Sequence, residues 1–287
     1  MKRHFRQVFY NKKFIHLKNS LSGFNENFDY PEKSLKMKKL LYVLLLLPLF
    51  SCANATESTF SEMAYTEKSE EPSKPLDHQK WHVLLQKHVS ATGKVNYKGF
   101  KNDAKDLKTY LAELAANMPQ KSWSKNDVLA YWINAYNAYT VQLILDHYPV
   151  KSIKDINDPW GKKWFTLGTK KYSLEAIEHE ILRKMNEPRI HFAINCASFS
   201  CPNLSNEAFT AEKLEKQLEA AAKSFVNDAT KNTIAADKIE ISKIFDWFAS
   251  DFKTKGSMIE FLNQYSAVKI SKNVKVKYKD YNWSLNE

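Results

Sequence analysis

Two cysteines five residues apart, Cys196 and Cys201 in "RIHFAINCASFSCPNLS", offer three chemistries: a disulfide, a pair of metal ligands, or a nucleophile with a neighbour. A disulfide needs an oxidising compartment and a loop that folds back until the α-carbons lie within about 7 Å. A zinc site could draw on His179, His191, Cys196 and Cys201, but this set lacks the CxxC or HxxxH spacing of strong metal motifs and ranks third. A nucleophile needs a base to make thiolate, and two histidines are close enough in sequence to serve. Read as a strand, residues 189–195 put Ile190, Phe192 and Ile194 on the side of Cys196 and turn His191 to the other face. His191 is therefore the reserve base. His179 comes from "LEAIEHEILRKM", where Leu174, Ile177, Ile181 and Met185 form an apolar stripe and Glu178 and Arg183 are polar neighbours. It is the expected base, with Glu178 also in reserve. The set calls for no metal and no cofactor.

The group that would orient the imidazole has to come from "SWSKNDVLAYWINAYNAYTVQLILDHYP". Ser124 with Asp127 three residues on reads as a capped start, and Pro149 lies just past the end. Between them the segment is apolar almost all round, which predicts a central, buried helix. Asn134 and Asn137 interrupt it on one side. A buried carboxamide without partners costs on the order of 1–3 kcal/mol, so each must hold either loop backbone or a polar site. In the second case Asn137, with Asn134 in reserve, would orient His179 as an amide does in cysteine-histidine-asparagine hydrolases. The order here, Asn before His before Cys, is not papain's, but triads recur in several orders.

The other elements are legible from period and punctuation. "LDHQKWHVLLQKHVS" carries Leu76, Trp81, Leu84, Leu85 and Val89 on one side and reads as an amphipathic helix, with His78, His82 and His88 expected in solvent. Residues 101–117 read as a second helix. "WFTLGTKKYS" alternates around Gly168 as a β-hairpin, and Ser173 caps the helix that follows. The strand at 189–195, a helix at 210–226, a strand in "KIEISKIF", helices near Asp246 and Met258 and a last strand "VKVKYKDY" complete the chain. Helix outweighs strand and the strands cluster, so the fold class is α+β: one helix-rich domain over 76–287 with a central buried helix and a small sheet, a form that cysteine hydrolases also take.

The compartment is read from "MKKLLYVLLLLPLFSC". Lysines after Met37, an apolar run and a small residue before cysteine give the layout of a secretory signal, and the run is too short to span a bilayer. The ending Leu49-Phe50-Ser51-Cys52 resembles the lipobox of bacterial lipoproteins, although Phe50 is bulkier than that pattern usually has. The resemblance implies that 37–51 is a signal peptide and that Cys52 carries a lipid, making the membrane the first partner. Ala53, rather than aspartate, permits outer-membrane sorting facing the periplasm. Residues 1–36 have neither period nor signal layout and read as an upstream extension, with translation starting at Met37. Residues 52–75, rich in Ser, Thr and Glu and closed by Pro72 and Pro75, read as a flexible tether. Ten basic and three acidic residues precede Cys52, so only +4 of the formal +11 remains after it, from 33 basic and 29 acidic residues. That excludes a nucleic-acid partner argued from overall charge.

Four segments, "AYWINAYNAYTVQLIL", "SLEAIEHEILRK", "HFAINCASFSCPNL" and "YKDYNWSLN", resemble in order the landmarks of the family called domain of unknown function 547. The resemblance is strongest over 123–227. It implies relatives in bacteria and plants but no established reaction. It also implies an individual role for Cys196, because in the plant relatives the position matching Cys201 can be serine. Two functions are expected from these residues: a membrane-tethered hydrolase or acyl/amide transferase on peptide or cell-wall amides, with Cys196, His179 and Asn137 as its machinery, or a non-catalytic envelope protein binding a peptide, glycan or protein partner, with the two cysteines joined.

Overall fold

Helix α5 (Lys125–His147) is the axis of the molecule, and its sequence explains why. The Ser124 hydroxyl accepts the Asp127 amide and the Asp127 carboxylate accepts the Ser124 amide, each at 3.2 Å, a reciprocal capping box. From Val128 to Leu145 every residue is buried, as a helix apolar on all sides must be. The computed structural model describes residues 59–66 and 73–287. The signal segment and Cys52 lie outside the described residues.

Around one side of α5 pack helix α1 at 59–64, α2 (Gln79–His88), α3 (Tyr97–Asn102) and α4 (Ala104–Ala116). Their apolar faces converge on Trp81, Tyr97, Phe100, Tyr110 and Trp132, all fully buried. Such side chains each contribute about 1.5–3 kcal/mol of transfer free energy. The expected hairpin forms as β1 (Phe165–Leu167) and β2 (Lys170–Tyr172), paired Phe165 to Tyr172 and Leu167 to Lys170. Its tight turn needs Gly168, which adopts φ of +57°.

A second apolar cluster lies on the other side. Helix α6 (Leu214–Asn227), α7 (Ile244–Trp247), α8 (Ala249–Phe252) and α9 (Met258–Tyr265) enclose a three-stranded sheet. In it β4 (Ile239–Ile241) pairs antiparallel with β3 (Thr233–Ile234) and parallel with β5 (Val276–Tyr278). Phe192 reaches into this cluster against Phe225, Phe245, Phe252 and Phe261. The molecule is thus a helix-rich α+β domain with a central buried helix and a small sheet. Among the described residues no helix is long and apolar enough to cross a membrane.

Four expectations are corrected. Residues 189–195 are not a strand: Pro188–Phe192 is a 3-10 helix with proline in its first turn, and Glu187 caps it by accepting the Arg189 amide. Ile190, His191 and Phe192 are all buried, and an apolar run buried on every side carries no periodicity to separate strand from helix. The helix after Ser173 forms but is not a regular α-helix: it starts α-helical at 174–175, then Ala176–Ile181 is π-helical and Leu182–Met185 is 3-10. Ser173 still caps it, accepting the Ala176 amide at 3.1 Å. Residues 59–66, expected within a tether, are docked: the Ala64 carbonyl accepts the Trp132 indole at 3.2 Å and the Met63 carbonyl accepts the Tyr172 hydroxyl at 2.7 Å. Finally, His78 and His88 are buried, not solvated. His78 Nδ1 lies 2.7 Å from the Tyr110 hydroxyl and burial lowers its pKa to about 4, while His88 Nε2 lies 2.5 Å from Asp103.

Candidate functional site

The two interior asparagines of α5 both hold backbone. Asn134 donates to the Phe209 carbonyl at 2.8 Å and accepts the Phe209 amide at 3.0 Å. Asn137 donates to the Ala193 carbonyl at 2.9 Å and accepts the Asn195 amide at 2.8 Å. Each carboxamide is therefore engaged at both ends, and neither touches an imidazole. What Asn137 positions is the segment that runs directly into Cys196.

That segment becomes a tight loop. Asn195 donates to the Pro202 carbonyl at 2.7 Å and accepts the Ala197 amide at 2.8 Å, which closes the loop across its neck. Ala197 sits at φ of +56°, a conformation that non-glycine residues adopt only when their surroundings hold them there. Cys196 and Cys201 are joined as a disulfide across the loop, their α-carbons 6.3 Å apart. The C-terminal tail straps the outside: Phe199 and Ser200 donate to the Ser284 and Asn282 carbonyls at 2.7 and 3.1 Å. Lys231 reaches the Phe199 carbonyl from the other core. The Cys196 sulfur has hydroxyl neighbours, Ser198 at 3.4 Å and Tyr281 at 3.5 Å, and Ser198 and Tyr281 bond each other at 3.1 Å.

The expected bases belong to a different constellation, centred on Asp251 of α8. Arg183 Nε and Nη2 donate to the two Asp251 oxygens at 2.6 and 2.7 Å, a bidentate pair. His191 Nε2 lies 2.9 Å from the same carboxylate, and Phe248 stacks on the imidazole at 4.0 Å. The Arg183 Nη1 donates to His179 Nδ1 at 2.8 Å. Burial, then the Arg183 charge, lowers His179 to about 4, so it is a neutral acceptor near neutral pH. Burial also lowers His191. Arg183 and His191 hold the Asp251 carboxyl far below the usual carboxylate range against the opposing effect of burial.

Glu178 completes the group. The π-helical turn carries Glu178 inward and the next residue, His179, toward Arg183, and such turns recur at functional sites. The Glu178 carboxylate meets the Tyr136 hydroxyl at 3.4 Å and comes within 3.9 Å of His191 Nδ1. Burial raises its pKa from 4.5 to about 7. Glu178 and Asp251 thus stand on either side of one imidazole with their proton affinities pushed in opposite directions. Such a group can hold a proton at Glu178 near neutral pH. It has a stability signature with a defined sign. A carboxyl raised in the fold binds more protons than the unfolded chain between pH 4.5 and about 7, so its contribution falls as pH rises through that window. Glu178→Gln is expected to gain stability relative to the parent by roughly 2–3 kcal/mol between pH 4.5 and pH 8. Denaturant melts at the two pH values measure it, and parallel pH dependences would refute the raised carboxyl.

A cluster of aromatic rings adjoins Tyr136. Trp160 faces the Tyr136 hydroxyl and packs edge-on against Trp283 at 5.6 Å. Trp283 contacts Tyr281 at 4.5 Å and Trp247 at 5.7 Å, and Trp247 contacts Tyr281 at 4.8 Å. Trp247 is 44% exposed although it is among the largest apolar side chains of the protein.

The structure therefore brings Glu178, His179 and His191 together and places Cys196 in a separate, adjoining loop bounded by Ser198 and Tyr281. Asp251, Tyr136, Asn195, Ser198 and Tyr281 were not among the expected site residues. Two of them carried a signal: Asp251 is a carboxylate set in the aromatic run "FDWFASDF", and Tyr281 falls in the quoted tail "YKDYNWSLN". Among the described residues no three His, Cys, Asp or Glu side chains group so as to hold a metal ion. A family model described as protein of unknown function, DUF547, matches residues 120–226, a span that holds α5, the π-helical turn and the cysteine loop but neither Asp251 nor the tail. No curated protein and no solved structure matches the chain.

Proposed function

We propose, from its geometry, that the protein is a lipid-anchored, ligand-binding protein of the bacterial cell envelope; the family model that matches residues 120–226 is defined without a reaction. The anchor is a lipid on Cys52, supported by the lipobox-like ending before it. The ligand site in this reading is the surface where the cysteine loop, the tail and α7 adjoin, beside the Cys196–Tyr281 contact and the exposed Trp247. One observation carries the choice of binding over cysteine catalysis: Cys196 is bonded to Cys201, and its nearest polar neighbours are hydroxyls, not an imidazole. A thiolate nucleophile needs a base within about 3 Å, and His179 here spends Nδ1 on Arg183.

A second reading keeps thiol chemistry for the reduced protein. It rests on the turn after Cys196, where Ala197 is held at φ of +56° and leaves the sulfur half-buried beside the Ser198 and Tyr281 hydroxyls. One measurement on the chain extracted from membranes tests both parts. Its intact mass under alkylation without reductant should show a lipid on Cys52 and no adduct on Cys196 or Cys201. A Cys196 adduct formed within minutes near neutral pH, lost in His179→Ala, would give the thiol reading first place. A soluble chain with unmodified Cys52 would overturn the anchor.

A further inference from the structure

The Cys196–Cys201 disulfide adds little as a staple. The cysteines are only five residues apart, and the constraint a disulfide puts on the unfolded chain grows with the length of the loop it closes. The loop is also closed without it. Asn195 donates to the Pro202 carbonyl at 2.7 Å and accepts the Ala197 amide at 2.8 Å. The tail pairs along the outside in both directions, taking the Phe199 and Ser200 amides and giving the Asn282 amide to the Ser200 hydroxyl at 2.9 Å.

The two sulfurs differ in ways that matter for exchange chemistry. Cys201 is 4% exposed, whereas Cys196 is partly open to solvent, and Phe199 between them is 45% exposed. An incoming thiolate therefore meets Cys196. The bond that breaks then releases Cys201, and the Cys196 amide donates to the Cys201 sulfur at 3.0 Å, where the leaving charge develops. The Cys196 sulfur in turn has the Ser198 and Tyr281 hydroxyls at 3.4 and 3.5 Å. Lys231 brings a cation onto the same loop at the Phe199 carbonyl. Each of these favours thiolate over thiol, and a pair whose thiolates are stabilised is more readily reduced. No histidine is needed, because the attacking group arrives already ionised.

We propose that Cys196–Cys201 is a redox-active pair that exchanges with a thiol-bearing partner attacking at Cys196. The incoming thiolate bonds to the Cys196 sulfur, the bond to Cys201 breaks, and Cys201 leaves as a thiolate that takes up a proton from solvent. A second thiolate, from the same dithiol or from another thiol molecule, displaces Cys196 in the same way. Two thiols are oxidised to one disulfide while the protein pair gains two electrons and two protons. This activity goes beyond the binding reading and does not depend on it.

The test takes the full-length chain extracted from membranes in detergent, equilibrates it in glutathione buffers of graded ratio near neutral pH, and quenches with N-ethylmaleimide. Peptide mass mapping then scores each cysteine, with Cys52 apart. The folded chain is expected to be reduced at least as fast as the chain unfolded in urea, with glutathione trapped on Cys196. In Cys201→Ser the Cys196 adduct should accumulate, whereas in Cys196→Ser the buried Cys201 should react about tenfold more slowly. Tyr281→Phe and Ser198→Ala, each checked for a retained fold by a melt, should shift the glutathione equilibrium about fivefold toward the disulfide. The same buffers with dithiothreitol in place of glutathione should reduce the pair without a trapped adduct, since the second thiol of a dithiol completes the exchange. A pair reduced only after urea unfolds the domain would be a structural staple and would overturn the proposal. Adducts forming on Cys201 ahead of Cys196, or an equilibrium that neither hydroxyl variant moves, would overturn the direction of attack or the thiolate donors assigned here. Free thiols at both positions before any reductant is added would refute the pair itself.

Discussion

Asp251→Ala is expected to cost about 3 kcal/mol of folding stability. The carboxylate receives four hydrogen bonds, two from Arg183 at 2.6 and 2.7 Å, one from His191 at 2.9 Å and one from the Ser250 hydroxyl at 2.9 Å. It also ties α8 to the 3-10 turns that follow the π-helical segment and to Pro188–Phe192. Side-chain exposures of 19% for Asp251 and 28% for Arg183 put the pair between surface and core, which is why the low end of the cost of breaking a buried pair applies. Most of that cost comes from leaving Arg183 without its partner against Phe248. The double variant Arg183→Met with Asp251→Ala should therefore be less destabilised than the sum of the two single changes. The pH dependence has a fixed sign. Because Asp251 is depressed in the fold, its contribution is present above the ordinary carboxylate value of 3.8 and is lost as pH falls below it, so parent and variant melts should converge in acid. A loss under about 0.5 kcal/mol at pH 7 would show that the cluster is a solvated surface pair and not the tie between α8 and the 3-10 turns.

What could be read in the sequence divides along a physical line. Helix α5 was legible because its cap and its all-round apolar character are local, and the hairpin because the turn glycine and the alternation beside it are local. The 189–195 segment was not. Its residues are buried on all sides, so strand and 3-10 helix give the same pattern, and the choice is made by Pro188, the Glu187 cap and the Phe192 ring inserted among four phenylalanines of the second core. The site divides in the same way. Glu178, His179 and His191 could be picked out as titratable residues flanking a cysteine loop. Asp251 showed only as a carboxylate in an aromatic run, because its role depends on α8 docking 60 residues downstream of His191. The amides show the limit of residue type as a guide. Asn134 and Asn137 had to hold something, and both readings were open until the partners were known to be peptide groups. The tail is the last case: Tyr281 and Trp283 belong to the site only because residues 282–286 hydrogen-bond along the cysteine loop and the chain near Val95 and Lys151.

Asn137→Leu is expected to be as damaging as the loss of Asp251, at about 3–4 kcal/mol, and for a different reason. Leucine has the same branching and number of side-chain heavy atoms as asparagine and suits a helix buried at every position around it, so shape is the smaller part of the cost. It strands two peptide groups: the Ala193 carbonyl and the Asn195 amide both lose a partner at a depth where water cannot replace it. Each orphaned group costs about 1–3 kcal/mol. Asn126→Leu, in the first turn of the same helix but exposed, should fall within about 0.5 kcal/mol of the parent. The damage should also be local in a way a melt does not see. Asn195 closes the neck of the loop that carries Cys196, so freeing its amide should loosen residues 195–202 before the rest of the domain opens. Hydrogen exchange of the Ala197 and Cys201 amides is expected to accelerate at least tenfold in Asn137→Leu while the α5 amides keep their protection. Under reductant, Cys196 should alkylate faster than in the parent. Equal tolerance of leucine at 126 and 137, or exchange that rises uniformly across the domain, would show that Asn137 serves general packing and does not hold the loop.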